Sequence, residues 1–180
     1  MIYSERRVYV DLDGVLCDFD SHYRALTGII MDWSDYNAGR TKVQPRVGKK
    51  GGPWWKPLLD HPTFYRDLPL MPGALDLWEM LLPYEPYILS AMCPHIPQSG
   101  RQKLEWCAEH LGLDHHRVIV VGDRMDKPRY CLPGDILLDD QPRNIENWNV
   151  EGGYGIRFVS VEQAIADLSK VLESDHARDT

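Results

Sequence analysis

The chain lacks a basic excess, a long apolar run and clustered cysteines, and each absence excludes a class of protein. None of its apolar runs approaches the roughly 20 residues that a membrane-spanning helix needs. The formal net charge of −7 argues against a partner made of nucleic-acid polymer, because phosphate backbones attract basic surfaces. Charged residues enter within the opening MIYSERR, so the apolar core of a signal peptide is missing.

The four cysteines are few and scattered. They stand singly along the chain, at Cys17, Cys93, Cys107 and Cys131. No CxxC pair occurs, which disfavours a structural zinc site. We expect free thiols and a cytoplasmic location, where thiols stay reduced. With 43% hydrophobic and 26% charged residues, the composition is that of a globular protein with one sizeable core.

Short apolar runs alternate with amphipathic segments. Strands are predicted at 6–13, 87–90, 118–123, 135–140 and 155–159. Helices are predicted at 19–26, 75–82, 97–111 and 161–172. This alternation indicates an α/β fold with a doubly wound, Rossmann-like parallel sheet. Between about 28 and 62, glycine, proline, lysine and tryptophan accumulate without periodicity, which predicts a loop-rich insertion with short helices.

Polar and acidic residues gather where the predicted strands end. Asp11 and Asp13 follow the first strand, Ser90 ends the second, and Asp139 and Asp140 end the fourth. Ligands of doubly wound sheets bind beyond the carboxyl ends of the strands. We therefore expect these five residues to form one site.

Two carboxylates two positions apart suit phosphate-monoester hydrolysis through a covalent intermediate. Asp11 would be the nucleophile, and Asp13 would protonate the leaving group and later activate water. An anion attacking a phosphate needs charge neutralisation, which predicts Mg²⁺ on carboxylate oxygens. The expected metal ligands are Asp11, Asp13, Asp139 and Asp140. Ser90 would hydrogen-bond a phosphoryl oxygen.

An EF-hand calcium loop is a competing interpretation of the sequence around Asp11. It fails on spacing, because Gly14 stands at the fourth position of such a loop and the motif requires glycine at the sixth. The twelfth position, where the motif needs glutamate, holds His22. Calcium binding of this type is therefore not expected.

The acidic motifs also resemble those of a known superfamily. Asp-Leu-Asp-Gly-Val at 11–15, Ile-Leu-Ser at 88–90, a following lysine and Leu-Leu-Asp-Asp at 137–140 resemble the four ordered motifs of haloacid dehalogenase (HAD) phosphatases. Further stretches are similar to 5′(3′)-deoxyribonucleotidases and their bacterial and phage relatives, namely 13–20, 64–74, 103–106 and 122–127. The resemblance implies a core domain of residues 1–27 and 69–180 and a small, mainly helical cap of residues 28–68.

The same resemblance assigns further site residues. It implies that Lys103 and Lys127 bind phosphate and that Phe19 and Phe64 line a nucleoside pocket. Paired tryptophans can anchor a loop or stack on a base, so Trp54 and Trp55 are additional candidates for the pocket. The implied substrate is a (deoxy)ribonucleoside monophosphate, and a homodimer is compatible with the resemblance.

Two alternatives remain at this point. The first is a phosphatase of the same type that acts on another small phosphorylated metabolite, such as a sugar phosphate. The second is a non-catalytic binding module on the same fold, which predicts that one of the motifs is broken. None of the four motifs is broken in this sequence.

Overall fold

A five-stranded parallel sheet forms the centre of the molecule. The computed structural model describes residues 6–33, 46–47 and 52–176. Its strands are β1 Val8–Val10, β2 Arg46–Val47, β3 Gly52–Pro53, β4 Tyr87–Ala91, β5 Val118–Val121, β6 Ile136–Asp139 and β7 Tyr154–Arg157. The parallel sheet has the order β5-β4-β1-β6-β7, while β2 and β3 pair separately and antiparallel.

Helices alternate with these strands as the sequence predicts. They are α1 Phe19–Thr27, α2 Ala74–Leu81, α3 Ser99–Leu111, α4 Pro142–Val150 and α5 Val161–His176. Short 3₁₀ helices span Lys56–Asp60, Leu82–Tyr84, His115–Arg117 and Arg124–Tyr130. The predicted α/β doubly wound sheet is therefore confirmed. Over the described residues, no helix combines the length and the apolar character needed to cross a membrane.

The position of β1 decides where a site can form. This strand lies between β4 and β6, so the chain leaves β1 towards one half of the sheet and later returns to build the other half. Such a reversal of strand order opens a crevice at the carboxyl end of the central strand. Asp11, the first residue after β1, stands at that crevice.

Two apolar layers cover the sheet because successive strand residues face opposite sides. Val8 and Val10 of β1 belong to the larger core cluster. Tyr9, between them, packs in a smaller cluster with Trp148 of α4, at a ring-centroid distance of 5.3 Å. All three β1 residues are buried, so the strand that carries the site is held from both faces.

The structure differs from the sequence prediction at one strand and at one helix. The first strand ends at Val10 rather than at residue 13, because the chain turns at once: the Leu12 carbonyl accepts hydrogen bonds from Leu16 N and Cys17 N. Helix α4 was not predicted. Only two of its nine residues, Asn144 and Trp148, are buried, so its apolar periodicity is weak.

The predicted cap, residues 28–68, is covered only in part, since 34–45 and 48–51 lie outside the described residues. What is described contains the β2–β3 pair and the 3₁₀ helix Lys56–Asp60, so this part is not mainly helical. Its later residues pack on the core. Leu58 and Leu68 belong to the main cluster, and the Leu68 carbonyl accepts a hydrogen bond from Trp106 Nε1 (2.8 Å). The domain boundaries themselves stay a prediction.

Candidate active site

The turn after β1 presents two carboxylates to one cavity. Asp11 accepts a hydrogen bond from Leu12 N on Oδ1 (2.8 Å), and its own N–H donates to the Leu138 carbonyl of β6 (2.9 Å). Gly14 makes the turn possible, with φ of +79°. Its N–H then donates to the Cys17 carbonyl (2.9 Å). Asp11 and Asp13 therefore line the cavity from a backbone that is hydrogen-bonded in place.

Lys127 forms ion pairs with Asp11, which follows β1, and with Asp139, which ends β6. Its Nζ lies 2.8 Å from Asp11 Oδ2 and 2.6 Å from Asp139 Oδ2. The lysine side chain is only 1% exposed, and the 3₁₀ helix Arg124–Tyr130 delivers it from the loop after β5. Buried charges are tolerated when they are paired and hydrogen-bonded. Lys127 is thus a fixed cation of the site.

Lys103 holds the second carboxylate. From α3 its Nζ donates to Asp13 Oδ2 (2.7 Å) and to Ser90 Oγ at the end of β4 (2.8 Å). The Tyr65 ring lies beside the same ammonium group, with Nζ 5.4 Å from the ring centroid. Lys103 is buried, so its position is set by these neighbours. The predicted phosphate-binding residues Ser90, Lys103 and Lys127 thus all lie within hydrogen-bond distance of Asp11 or Asp13 or of each other.

Asp139 and Asp140 are held differently, although they are adjacent. Asp139 is fully buried, and it accepts hydrogen bonds on both oxygens from Asn144 Nδ2 (3.0 and 2.9 Å) and on Oδ1 from Gln141 N (2.8 Å). Asp140 accepts one hydrogen bond from Gln141 Nε2 (2.9 Å) and lines the cavity. Asp140 is therefore the more available of the two for a ligand.

The carboxylates fit a hard divalent cation. Oxygens of Asp11, Asp139 and Asp140 lie within 4.8 Å of one another. A cluster made only of carboxylate oxygens is the donor set that Mg²⁺ prefers. Asp13, predicted as a fourth ligand, is not in this group, because Lys103 engages its side chain. The set that fits a metal is therefore smaller than the predicted one.

The two carboxylates of the turn have opposite pKa shifts. Burial alone would raise the pKa of Asp11, but Lys127 and Lys103 outweigh it and hold that pKa below its ordinary value. Burial raises the pKa of Asp13, and the nearby Asp11 charge adds to this, although Lys103 opposes both. Environments that separate the pKa values of two neighbouring carboxyls typically mark an acid and a base or nucleophile. Asp11 is thus the anion of the pair.

The pKa values of the other two acids are both raised. Burial is the main cause for Asp139, with Lys127 opposing it and Asp11 reinforcing it. Burial also raises the pKa of Asp140 well above its usual value, and the charges of Asp139 and Asp11 add to the effect. Three acids this close repel one another, and a cation among them would relieve that repulsion.

An aromatic wall and the carboxylates line the same cavity, which has a volume of ≈ 470 Å³. This volume is within the roughly 300–1,000 Å³ typical of small-ligand pockets. Phe19 and Trp54 line it as predicted, with ring centroids 5.8 Å apart. The wall also contains residues that sequence reasoning did not assign to the site, namely Met31, Trp33, Tyr65 and Met71.

Phe64 and Trp55, which were predicted to line the pocket, lie outside the cavity. Phe64 is 2% exposed and packs behind Phe19 at a ring-centroid distance of 5.3 Å, so it supports the wall. Trp55 turns towards the loop after β4 and stacks on His95, with centroids 4.3 Å apart. Of the two adjacent tryptophans, therefore, one faces the cavity and the other anchors the segment.

The sequence analysis also missed polar residues of the site. Gln141, Asn144 and Arg124 line the cavity beside the acids. A signal for Gln141 and Asn144 was present, because Pro142 stands two residues after Asp140 and proline favours the first position of a helix. A helix that starts there brings its first-turn side chains back to Asp139. No comparable signal existed for Tyr65, since its ring enters the site through tertiary packing.

Comparison with known proteins agrees with this geometry. Residues 5–171 match the family described as 5′ nucleotidase, deoxy (pyrimidine), cytosolic type C protein (NT5C). The mitochondrial 5′(3′)-deoxyribonucleotidase of Mus musculus is 25% identical over 158 residues, covering 76% of this chain and 64% of the mouse protein. A Staphylococcus epidermidis protein provisionally described as a 5′(3′)-deoxyribonucleotidase is 24% identical over 148 residues, covering 79% of this chain and 78% of that protein.

A solved structure shares the fold. The L-2-haloacid dehalogenase of Xanthobacter autotrophicus superposes with a TM-score of 0.50 at 18% identity, covering 94% of this chain and 83% of the dehalogenase. This likeness concerns the HAD-type architecture alone. The family match extends over nearly the whole chain and includes every acid and lysine of the site. The chain therefore belongs to the 5′ nucleotidase, deoxy (pyrimidine), cytosolic type C family.

Proposed function

We propose that the protein is a Mg²⁺-dependent phosphomonoesterase that hydrolyses (deoxy)ribonucleoside monophosphates through an aspartyl-phosphate on Asp11. Membership of a nucleotidase family supports a phosphoric monoester hydrolase. The observation that carries the mechanism is the pair on one turn: Asp11 is held as an anion by Lys127, and Asp13 has a raised pKa. This pairing supports Asp11 as the nucleophile and Asp13 as the proton donor.

In the first step an Asp11 carboxylate oxygen forms a bond to phosphorus, and the bond from phosphorus to the leaving oxygen breaks. Asp13 in its protonated form donates the proton that the leaving oxygen needs, so the nucleoside departs as a neutral alcohol. Asp13 is then a carboxylate, and Asp11 carries the phosphoryl group. The second step reverses these roles: Asp13 takes a proton from water, whose oxygen attacks phosphorus, and phosphate release restores Asp11.

Fixed cations offset the charge that both steps concentrate near Asp11. Lys127 already contacts the nucleophile, and Lys103 is paired with Asp13 and Ser90. A phosphoryl group in the cavity would compete with Asp13 for Lys103, which favours the protonated form of Asp13 needed in the first step. When bound to Asp11 and Asp140, Mg²⁺ would supply further neutralisation of the phosphoryl oxygens.

The aromatic wall supports a nucleoside as the leaving group. Phe19, Trp33 and Trp54 line the same cavity as the acids and pack against one another, and bases stack on aromatic rings. A sugar phosphate would leave this apolar surface unused.

The cytoplasmic location expected from the free thiols remains part of the proposal, as does the homodimer implied by the family resemblance. Light scattering in solution tests the dimer.

The test compares phosphate release by the wild type, Asp11→Asn and the exposed-site control Asp76→Asn, with Mg²⁺ and with chelator. The panel contains nucleoside and deoxynucleoside monophosphates and sugar phosphates. We expect hydrolysis of nucleotides by the wild type and by Asp76→Asn only with Mg²⁺, and a loss of at least 10³-fold in Asp11→Asn. Wild-type rates in Asp11→Asn would exclude the covalent mechanism, and equal rates on sugar phosphates would exclude nucleotide preference.

A further inference from the structure

Asn144 lines the cavity, and the mechanism above does not use it. It is the third residue of α4, only two residues after Pro142, and it is 2% exposed. Its Nδ2 donates to both carboxylate oxygens of Asp139, at 3.0 and 2.9 Å. With Lys127 on Oδ2 and Gln141 N on Oδ1, this saturates Asp139 with hydrogen bonds.

The other polar atom of Asn144 is unsatisfied. Its Oδ1 is buried, lies in a residue that lines the cavity, and has no hydrogen-bond partner in the described part of the protein. Exchanging the amide oxygen and nitrogen does not help, because Oδ1 would then face the Asp139 carboxylate. Buried polar atoms are rarely left without a partner. The structure therefore provides an acceptor for a donor that enters the cavity.

We infer that Asn144 is a positioning residue for Mg²⁺, and this inference rests on the proposed function. Through Nδ2 it fixes Asp139, which in turn orients Lys127 against Asp11. Through Oδ1 it accepts a hydrogen bond from water that enters the cavity with the cation. Mg²⁺ keeps several waters when it binds proteins, and water polarised by a cation is a strong donor.

This assignment predicts a specific loss in Asn144→Ala. Outer-shell partners of metal ligands typically contribute 10- to 100-fold in metal affinity. We expect the dissociation constant for Mg²⁺, measured by titration calorimetry without substrate, to rise by about that factor. The Mg²⁺ concentration for half-maximal activity should rise in parallel, while KM for the nucleotide at saturating Mg²⁺ changes less than about twofold.

A matched control is available on the same helix. Asn147 lies three residues further along α4, where its Nδ2 contacts only Met125 Sδ at 3.9 Å among the interactions described for it. Asn147→Ala should therefore bind Mg²⁺ as the wild type does. A purely structural role of Asn144 would instead lower the melting temperature of the metal-free protein and leave Mg²⁺ affinity unchanged. That result would overturn the inference.

A measurement on the wild type makes the test independent of variant folding. In ¹⁵N-labelled protein, Mg²⁺ should shift the side-chain amide resonances of Asn144 and leave those of Asn147 in place. Unmoved Asn144 resonances at saturating Mg²⁺ would overturn the inference. If the wild type binds no Mg²⁺ in calorimetry and has no metal-dependent activity, the proposed function itself fails. If it binds and hydrolyses while Asn144→Ala keeps full affinity, only the role of Asn144 fails.

Discussion

Gly14 lies so close to Asp140 that a Cβ at position 14 would force the Asp140 side chain to move. Gly14 has φ of +79°, in the left-handed region that residues with a Cβ rarely adopt. A Cβ built on it would lie 2.7 Å from Asp140 Oδ2 and 2.8 Å from Asp140 Cγ. The glycine therefore serves both the turn after β1 and the room that Asp140 needs beside Asp11.

Gly14→Ala should lose activity and stability together. The left-handed conformation costs an alanine about 1–2 kcal/mol. The new methyl group also displaces Asp140 from the acidic cluster, so we expect weaker Mg²⁺ binding and a fall in kcat of at least tenfold. Enzyme kinetics over a Mg²⁺ series and urea denaturation measure the two effects.

Gly28→Ala is the matched control for this prediction. Gly28 ends α1 with φ of +68°, and nothing lies within 4 Å of a Cβ placed there. It carries the same backbone strain without the contact to Asp140. Gly28→Ala should therefore lose about 1–2 kcal/mol of stability and keep its Mg²⁺ affinity. If both variants lose only stability, the contact between Gly14 and Asp140 has no functional role.

At the scale of elements, one short 3₁₀ helix positions Lys127, one of the two buried lysines of the site. The segment Arg124–Tyr130 carries Lys127 under Asp11, and it begins at Asp123, whose side chain accepts a hydrogen bond from Met125 N (2.8 Å). Capping of this kind satisfies a backbone donor that the helix itself leaves unpaired. The start of this segment, and with it the position of Lys127, thus depends on an exposed aspartate outside the cavity.

Asp123→Ala should loosen the segment and Asp123→Asn should not. Loss of an N-cap typically costs about 1 kcal/mol, and asparagine caps nearly as well as aspartate. We expect Asp123→Ala to lose about that much stability and to show a lower kcat, because Lys127 is less well held. Asp123→Asn should stay close to the wild type in both. Equal losses in the two variants would assign the effect to the charge of Asp123 rather than to capping.

The elements also mark the limit of what sequence reasoning could predict. Asp11, Asp13, Asp139 and Asp140 were predictable because each lies at the end of a short apolar strand or within three residues of it, and a parallel sheet brings those strand ends together. Helix α4 has weak apolar periodicity, because only two of its nine residues are buried, and Pro142 at its first position is the sequence signal that indicates it. Without that signal, Asn144 could not be assigned to the site.

The aromatic side of the cavity was only partly predictable for a different reason. Adjacent residues such as Trp54 and Trp55 have the same composition and context in sequence, yet one lines the cavity and the other stacks on His95. Their directions depend on how the segment from Gly52 onward folds against α1 and α3. Because that segment has no helical or strand periodicity, the pattern that indicates an inward or outward direction is missing.

For the whole molecule, the topology separates the chemistry from the recognition of the leaving group. The acids lie at or just beyond the ends of β1 and β6, the lysines lie on α3 and the 3₁₀ helix Arg124–Tyr130, and the central strand is covered on both faces. The aromatic wall comes from α1 and from the segments around Trp33, Trp54 and Tyr65. Rigid elements suit groups that must keep their geometry during reaction, and loop segments suit a surface that varies with the ligand.

The stability of the whole fold should depend on the protonation of His22, which lies in α1 beside this wall. Its ring centroid is 5.1 Å from that of Phe64, and among the described residues its buried Nε2 has no hydrogen-bond partner. Burial lowers the pKa of His22, although Asp67 partly opposes the shift. The folded protein thus keeps His22 neutral at a pH where the unfolded chain, with a histidine pKa near 6.5, already binds a proton.

The sign of the effect follows from this difference in proton binding. Above about pH 7, His22 is neutral in both the folded and the unfolded protein and contributes no pH dependence to stability. As the pH falls through about 6.5, the unfolded protein binds the proton first, so the free energy of unfolding decreases. We expect the free energy of unfolding of the wild type to fall more steeply between pH 7.5 and 5 than that of His22→Gln. Urea denaturation at several pH values measures it, with the interval above pH 7 as the internal control. If the curves of the wild type and of His22→Gln are parallel over the whole range, His22 has the same pKa in the folded and unfolded states. Its protonation then does not lower the free energy of unfolding.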